Sequence, residues 1–94
     1  MSEAKPLGTL IAKFLESIGI KEKIDENFAF VYWDSTVGKE ISQKTEPIKI
    51  INGNLFVRVN DTVWRNELQF FKNDIIEKLN NKIGKRVIKD IKFY

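Results

Sequence analysis

Apolar residues recur along this chain with two different periods, and each change of period marks a change of element. Leu7, Leu10, Ile11, Phe14, Leu15 and Ile18 stand three and four residues apart, which predicts an amphipathic helix with one apolar stripe. Pro6 suits its first turn, and Gly19 lies just past its last apolar position, where a left-handed residue commonly ends a helix. The spacing resumes from Ile20 with Ile24, Phe28, Val31 and Tyr32 and predicts a second helix from Lys21 to about Trp33. Asp34, Ser35 and Thr36 then read as capping residues for a short helix holding Val37 and Ile41, with Gly38 either kinking a continuous helix or allowing close packing. Pro47 pushes Glu46 into extended geometry and closes the helical part of the chain.

The period then drops to two. TEPIKII and NLFVRV flank Asn52-Gly53, the residue pair that best tolerates the two positive φ angles of a tight hairpin turn. A two-residue turn fixes register, pairing Ile51 with Asn54 and Ile50 with Leu55. Continued regularly, it pairs Lys49 with Phe56 and Ile48 with Val57. After Val59, Asn60-Asp61-Thr62 offers helix caps, and Trp64, Leu68, Phe71, Ile75, Leu79 and Ile83 continue at helical spacing up to Gly84. That helix is about 33 Å long against about 20 Å for a six-residue strand, so it is expected to overhang the sheet with its basic end free. Val87 to Tyr94 reads as a last strand, with Val87, Ile91 and Phe93 on one side and Ile88, Asp90 and Lys92 on the other. Strand, helix and strand in succession favour a right-handed crossover that sets the last strand parallel to the second. The expected architecture is α+β, in the order α-α-(α)-β-β-α-β, with a small three-stranded mixed sheet packed on helices. It forms one domain over residues 1–94, with residues 1–6 flexible.

Helices on one face of such a sheet leave Lys49, Ile51, Phe56, Arg58, Ile88 and Lys92 on the other. Basic residues interleaved with an aromatic suit single-stranded nucleic acid, because phosphates are neutralised while bases stack. Alternatively the first helix covers that face and Phe56 and Ile51 are core.

Composition narrows the chemistry. The hydrophobic fraction of 43% is that of a globular chain rather than a disordered one. With no cysteine and no histidine, disulfides, thiol chemistry, imidazole catalysis and the usual zinc sites are excluded. No run of about 18 apolar residues suggests a membrane span, and the N-terminus lacks the apolar core of a signal peptide, so a soluble cytoplasmic protein is expected. The net charge of +3 is unevenly spread. Residues 78–94 carry Lys78, Lys82, Lys85, Arg86, Lys89 and Lys92 against Asp90 alone, while the rest of the chain is slightly acidic. Lys82, Lys85, Arg86, Lys89 and Lys92 are thus candidate phosphate contacts, or else cations complementing a helix C-terminus. Trp64 and Trp33 are candidate core anchors or partner-facing aromatics. Phe70 lies off the main stripe on the side of Val63, so the two are either covered by the first helix or form an exposed contact patch. Asp34, Glu40, Glu46, Asp61 and Glu67 show no spacing that converges carboxylates, and serine or threonine nucleophiles lack an imidazole, so no catalytic residues are assigned.

Several of these features, taken in order, resemble one family. Trp33-x4-Gly38, Ile41 and Pro47 come first, then Asn52-Gly53-x-Leu55-x-Val57-x-Val59, then Thr62-x-Trp64-x2-Glu67-Leu68 and the Leu79-Asn80 pair before a final strand. Together, over roughly Leu7 to Phe93, they resemble the DciA family. The resemblance implies a fold similar to the K-homology domains and a replication accessory role without catalysis or cofactor. Family members load or operate the replicative DNA helicase and contact helicase and DNA. Many relatives carry a further basic or disordered tail used in such contacts, and this sequence stops at Tyr94, so tail-dependent contacts are not expected of it. K-homology domains clamp nucleotides with a Gly-x-x-Gly loop, a spacing that Gly8, Gly19, Gly38, Gly53 and Gly84 do not provide. The alternatives are a K-homology-like RNA-binding module and a pure protein-interaction domain.

Overall fold

The computed structural model describes residues 4–94. Residues 1–3 of the segment expected to be flexible lie outside the described residues, as do the side chains of residues 4–7, Pro6 and Leu7 among them, and of Leu15. The elements are helices α1 (Ala4–Ser17), α2 (Ile20–Val37) and α3 (Lys39–Ser42), strands β1 (Thr45–Ile51) and β2 (Asn54–Val59), helix α4 (Thr62–Ile83) and strand β3 (Asp90–Phe93). The sheet order is β1-β2-β3, antiparallel then parallel, so the architecture is the α+β arrangement with a three-stranded mixed sheet that the sequence predicts.

The hairpin register holds from Ile51–Asn54 through Ile50–Leu55 to Lys49–Phe56 and then shifts, so that Pro47 rather than Ile48 faces Val57. Proline has no N–H to give the ladder and is tolerated in strands mainly at edges and bulges. β1 is an edge strand, and the bulge spends Ile48 as the extra residue, leaving it exposed. The bulge also returns Pro47 and Thr45 to the core side, opposite Val57 and Val59.

α2 runs four residues further than expected, through Asp34, Ser35 and Thr36. The Ser35 and Thr36 hydroxyls donate to the Tyr32 carbonyl (3.2 and 2.6 Å), which satisfies them inside a last helical turn rather than at a cap. α4 begins and ends as its sequence signals indicate. The Asp61 carboxylate accepts from the Val63 and Trp64 amides at 2.8 and 3.1 Å, and the Gly84 amide donates to the Asn80 carbonyl. Its buried face is Leu68, Ile75, Ile76, Leu79 and Asn80, with Trp64 and Ile83 partly buried, whereas Phe71, expected in the stripe, is 47% exposed.

The core lies between the inner sheet face (Leu55, Val57, Val59, Ile91, Phe93) and α2 and α4, which contribute Ala29, Trp33, Leu68 and Leu79. Ile88, expected on the outer sheet face, is fully buried. Residues 85–89 are not strand; the Asn80 side chain holds them. Its Oδ1 accepts from the Val87 and Ile88 amides (2.9 and 2.8 Å) and its Nδ2 donates to the Ile88 carbonyl (2.9 Å), turning that side chain inward. The basic end of α4 is therefore tied into the fold rather than left free. The hairpin tip docks at the same place. The Gly53 amide donates to Glu26 Oε2 of α2 at 3.0 Å, and its carbonyl accepts from the Lys89 amide at 2.8 Å. A Cβ on Gly53 would meet the Lys89 side chain at 3.0 Å and the Val87 carbonyl at 3.1 Å, so the turn needs glycine for space as well as for its φ of 83°.

Candidate nucleic-acid and partner interface

Alternation along β2 sends Leu55, Val57 and Val59 inward and Asn54, Phe56 and Arg58 to the opposite face. Register then places Lys49 of β1 and Lys92 of β3 on either side of Phe56, making a Lys-Phe-Lys row across the sheet. The Lys49 ammonium sits 5.1 Å from the centroid of the Phe56 ring. In the neighbouring row Arg58 pairs with Glu46. α1 does not cover this face: Lys49, Ile51, Arg58 and Lys92 are exposed and Phe56 is half-buried. Ile88 is absent from it, being core.

The row is tuned by Asp90, whose carboxylate takes Lys92 at 3.1 Å and Lys72 of α4 at 3.4 Å. Burial pushes this carboxyl up, but the Lys92 ammonium, the Ile91 amide and Lys72 together outweigh it and hold the group below its ordinary value. The result is a partly neutralised cationic rim around one aromatic. Such a surface can stack a base and hold a backbone phosphate without reading base edges.

The five C-terminal cations do not form one edge. Lys92 stands on the sheet face, Lys82 reaches Ser35 Oγ at 2.9 Å, and Lys85 pairs with Asp25 of α2 at 2.9 Å. Among the described residues, Arg86 and Lys89 have no carboxylate within ion-pair distance. They line a concavity of about 870 Å³ between the hairpin tip and the first half of α2, with Lys23, Glu22 and Glu26 on its far wall. Its charge is mixed, since Asp25 faces Lys85 and Glu26 is engaged by Gly53.

Of the aromatics considered for a partner, Trp33 is entirely buried, its Nε1 donating to Thr45 Oγ1 at 2.9 Å, so it offers no contact surface. Its position on α2 faces the core together with Ala29, and the extension of α2 past it fixes that orientation. Trp64 is half-buried against the core at the start of α4. Val63 (69% exposed) and Phe70 (83%) lie seven residues apart and so share an outward ridge of α4. Periodicity of apolar residues alone could not nominate Asn80 or Glu26, because both are polar groups whose function is to satisfy backbone. Among the described residues no cluster of acidic side chains could hold a metal ion, and no helix is long and apolar enough to cross a membrane.

Comparison with known proteins gives a match to the family model described as "Dna[CI] antecedent, DciA" over residues 6–93. Similar proteins include a UPF0232 protein of Rhodococcus jostii (strain RHA1) and one of Mycobacterium leprae (strain TN), each 26% identical over 90 residues. Another, from Mycobacterium tuberculosis (strain ATCC 25618 / H37Rv), is 22% identical over 90 residues. In each case the alignment covers 96% of this chain and 48% of the relative, so the chain spans about half the length of the curated relatives it matches.

Proposed function

The chain belongs to the DciA family, and from that premise we propose that it is a binding module of bacterial DNA replication that loads or operates the replicative DNA helicase. The observation that carries the reading is the family match over nearly the whole chain. In this reading the protein contributes contacts and no catalytic step, and it works in the cytoplasm on the chromosome. Nucleic acid, single-stranded DNA in the first instance, lies on the outer sheet face. Phe56 supplies a stacking surface, Lys49, Lys92 and Arg58 neutralise phosphates, and Arg86 and Lys89, with Lys85 beside them, extend the basic track around the hairpin tip, while Lys82, held by Ser35, stands apart from it. Binding of this kind is weak, sequence-tolerant and salt-dependent. The α4 ridge of Val63 and Phe70, backed by Trp64, is the surface for the helicase, since exposed aromatics on a rigid helix are typical of contact hot spots.

The test is capture of the replicative helicase of the same bacterium by the immobilised protein, alongside anisotropy titrations with single-stranded DNA and RNA of the same sequence. Helicase capture with measurable DNA binding at low salt is expected. Absence of capture sinks the helicase role, and no DNA binding at low salt sinks the nucleic-acid role. Clear preference for RNA would instead favour an RNA-binding module.

A further inference from the structure

α2 is apolar on two opposite sides. Ala29 and Trp33 face the core, while Ile20, Ile24 and Phe28 form a stripe about half a helical turn away that is left exposed. A surface helix normally has one apolar stripe, and a helix apolar on opposed faces is one that is covered on both. α1 has a single stripe, and its described members are bare too: Leu10 and Phe14 are 63% and 61% exposed.

The two bare stripes mirror each other about Gly19. Ile18 and Ile20 stand one residue either side of it, Phe14 and Ile24 five, and Leu10 and Phe28 nine. That symmetry is what two antiparallel helices packed face to face require, because residues equidistant from the turn come opposite one another. Yet within the chain the stripes do not meet. α1 projects, so the molecule measures 57 × 22 × 19 Å, and its radius of gyration is 16.3 Å against about 12 Å for a compact domain of this length. Only Ile18 and Gly19, the latter at φ 75°, separate α1 from α2. A hinge this short resists folding back and favours exchange of the arm between chains.

We infer that α1 of one copy packs along the outer stripe of α2 of a second copy, and reciprocally, so that two chains form a two-fold dimer by exchanging arms. At their observed exposures the six mirrored side chains present roughly 600 Å² per copy. A stable interface needs about 1,200 Å² in total, and Ile11 and Val31 beside them add to the sum. Charge is compatible with self-association: Lys5, Lys13, Lys21 and Lys23 on these helices stand against Glu16, Glu22, Asp25, Glu26 and Asp34, unlike the basic C-terminal segment.

Sedimentation equilibrium on the 94-residue chain should give twice the monomer mass at micromolar concentration. Phe14→Glu and Phe28→Glu should each return it to the monomer mass with Trp33 still buried by its fluorescence, while Ile48→Glu on the sheet edge leaves the dimer intact. The native chain has no cysteine, so Phe14→Cys and Ile24→Cys chains can be mixed and treated with a short bis-maleimide. Arm exchange predicts the mixed 14–24 product. A monomer at all concentrations, a dimer unaffected by both glutamates, or cross-linking only between two Phe14→Cys chains overturns the proposal. So does a 14–24 link formed within one chain carrying both cysteines.

Discussion

Replacing Asn80 isolates the contribution of one buried polar side chain. In the native fold it makes three hydrogen bonds of 2.8 to 2.9 Å to the backbone of Val87 and Ile88, and it is 7% exposed. Asn80→Ala removes all three, at about 1 kcal/mol each, and leaves the N–H and C=O of the fully buried Ile88 without partners. The expected loss is about 3–5 kcal/mol, a large share of the roughly 5–15 kcal/mol that holds a domain of this kind together. Asn80→Leu, with similar volume, should be nearly as damaging, because the penalty arises from unpaired backbone groups rather than from a cavity. Urea denaturation followed by tryptophan fluorescence measures the change, with Trp33 in the core as reporter. A loss below about 1 kcal/mol for both variants would show that the 85–89 segment satisfies its backbone in another way, and the account of Asn80 as its anchor would be wrong.

Phe56→Ala should weaken single-stranded DNA binding by about 1–3 kcal/mol with little change in the salt slope, whereas removing Arg86 and Lys89 should reduce affinity and flatten that slope. Anisotropy across a salt series separates the two, and equal slopes for both variants would contradict the division of labour. Removing Lys85 and Arg86 together should act like the second pair, more weakly at Lys85 because Asp25 already engages it. Phe70→Ala should lower helicase capture while changing stability by no more than about 0.5 kcal/mol, as its 83% exposure implies. Asp90 has its folded pKa depressed, so its contribution to stability is full above the ordinary carboxylate pKa of about 4 and is lost as pH falls through the lower folded value. Acid denaturation of Asp90→Asn should accordingly show a shallower dependence in that range, and curves of identical shape would remove Asp90 from the account.

What the sequence makes legible is whatever short-range chemistry decides. Asn52-Gly53 and the flanking alternation give the turn and the register next to it. Asp61 and Gly84 bound α4, and the alternation of β2 separates core from outer face. What the sequence conceals depends on tertiary satisfaction of the backbone. Pro47 shows only that something must yield in β1; that the yield is a bulge at Ile48 follows from keeping Thr45 on the core side, where it accepts the Trp33 indole. Reading apolar spacing alone puts Phe71 inside α4, but the buried face is turned towards Ile76 and Asn80, which leaves Phe71 at its opposite, exposed edge, and a polar residue such as Asn80 gives no apolar signal of that turn. The outer-face row was readable from parity once the sheet order was inferred. The dispersal of the cations was not, because Asp25 and Ser35, which engage Lys85 and Lys82, lie far off in sequence.

Gly53 joins three segments through a single residue, with α2 holding its N–H and the 89 amide holding its carbonyl. The hairpin around it closes locally, on the microsecond scale, but those two bonds exist only once α2 and the chain beyond α4 have arrived. Its amide proton should therefore exchange with solvent at a rate set by undocking of the whole tip rather than by fraying of the turn. In a heteronuclear spectrum that one glycine resonance, in the region where glycines stand apart, reads out whether helix, hairpin and basic loop are assembled.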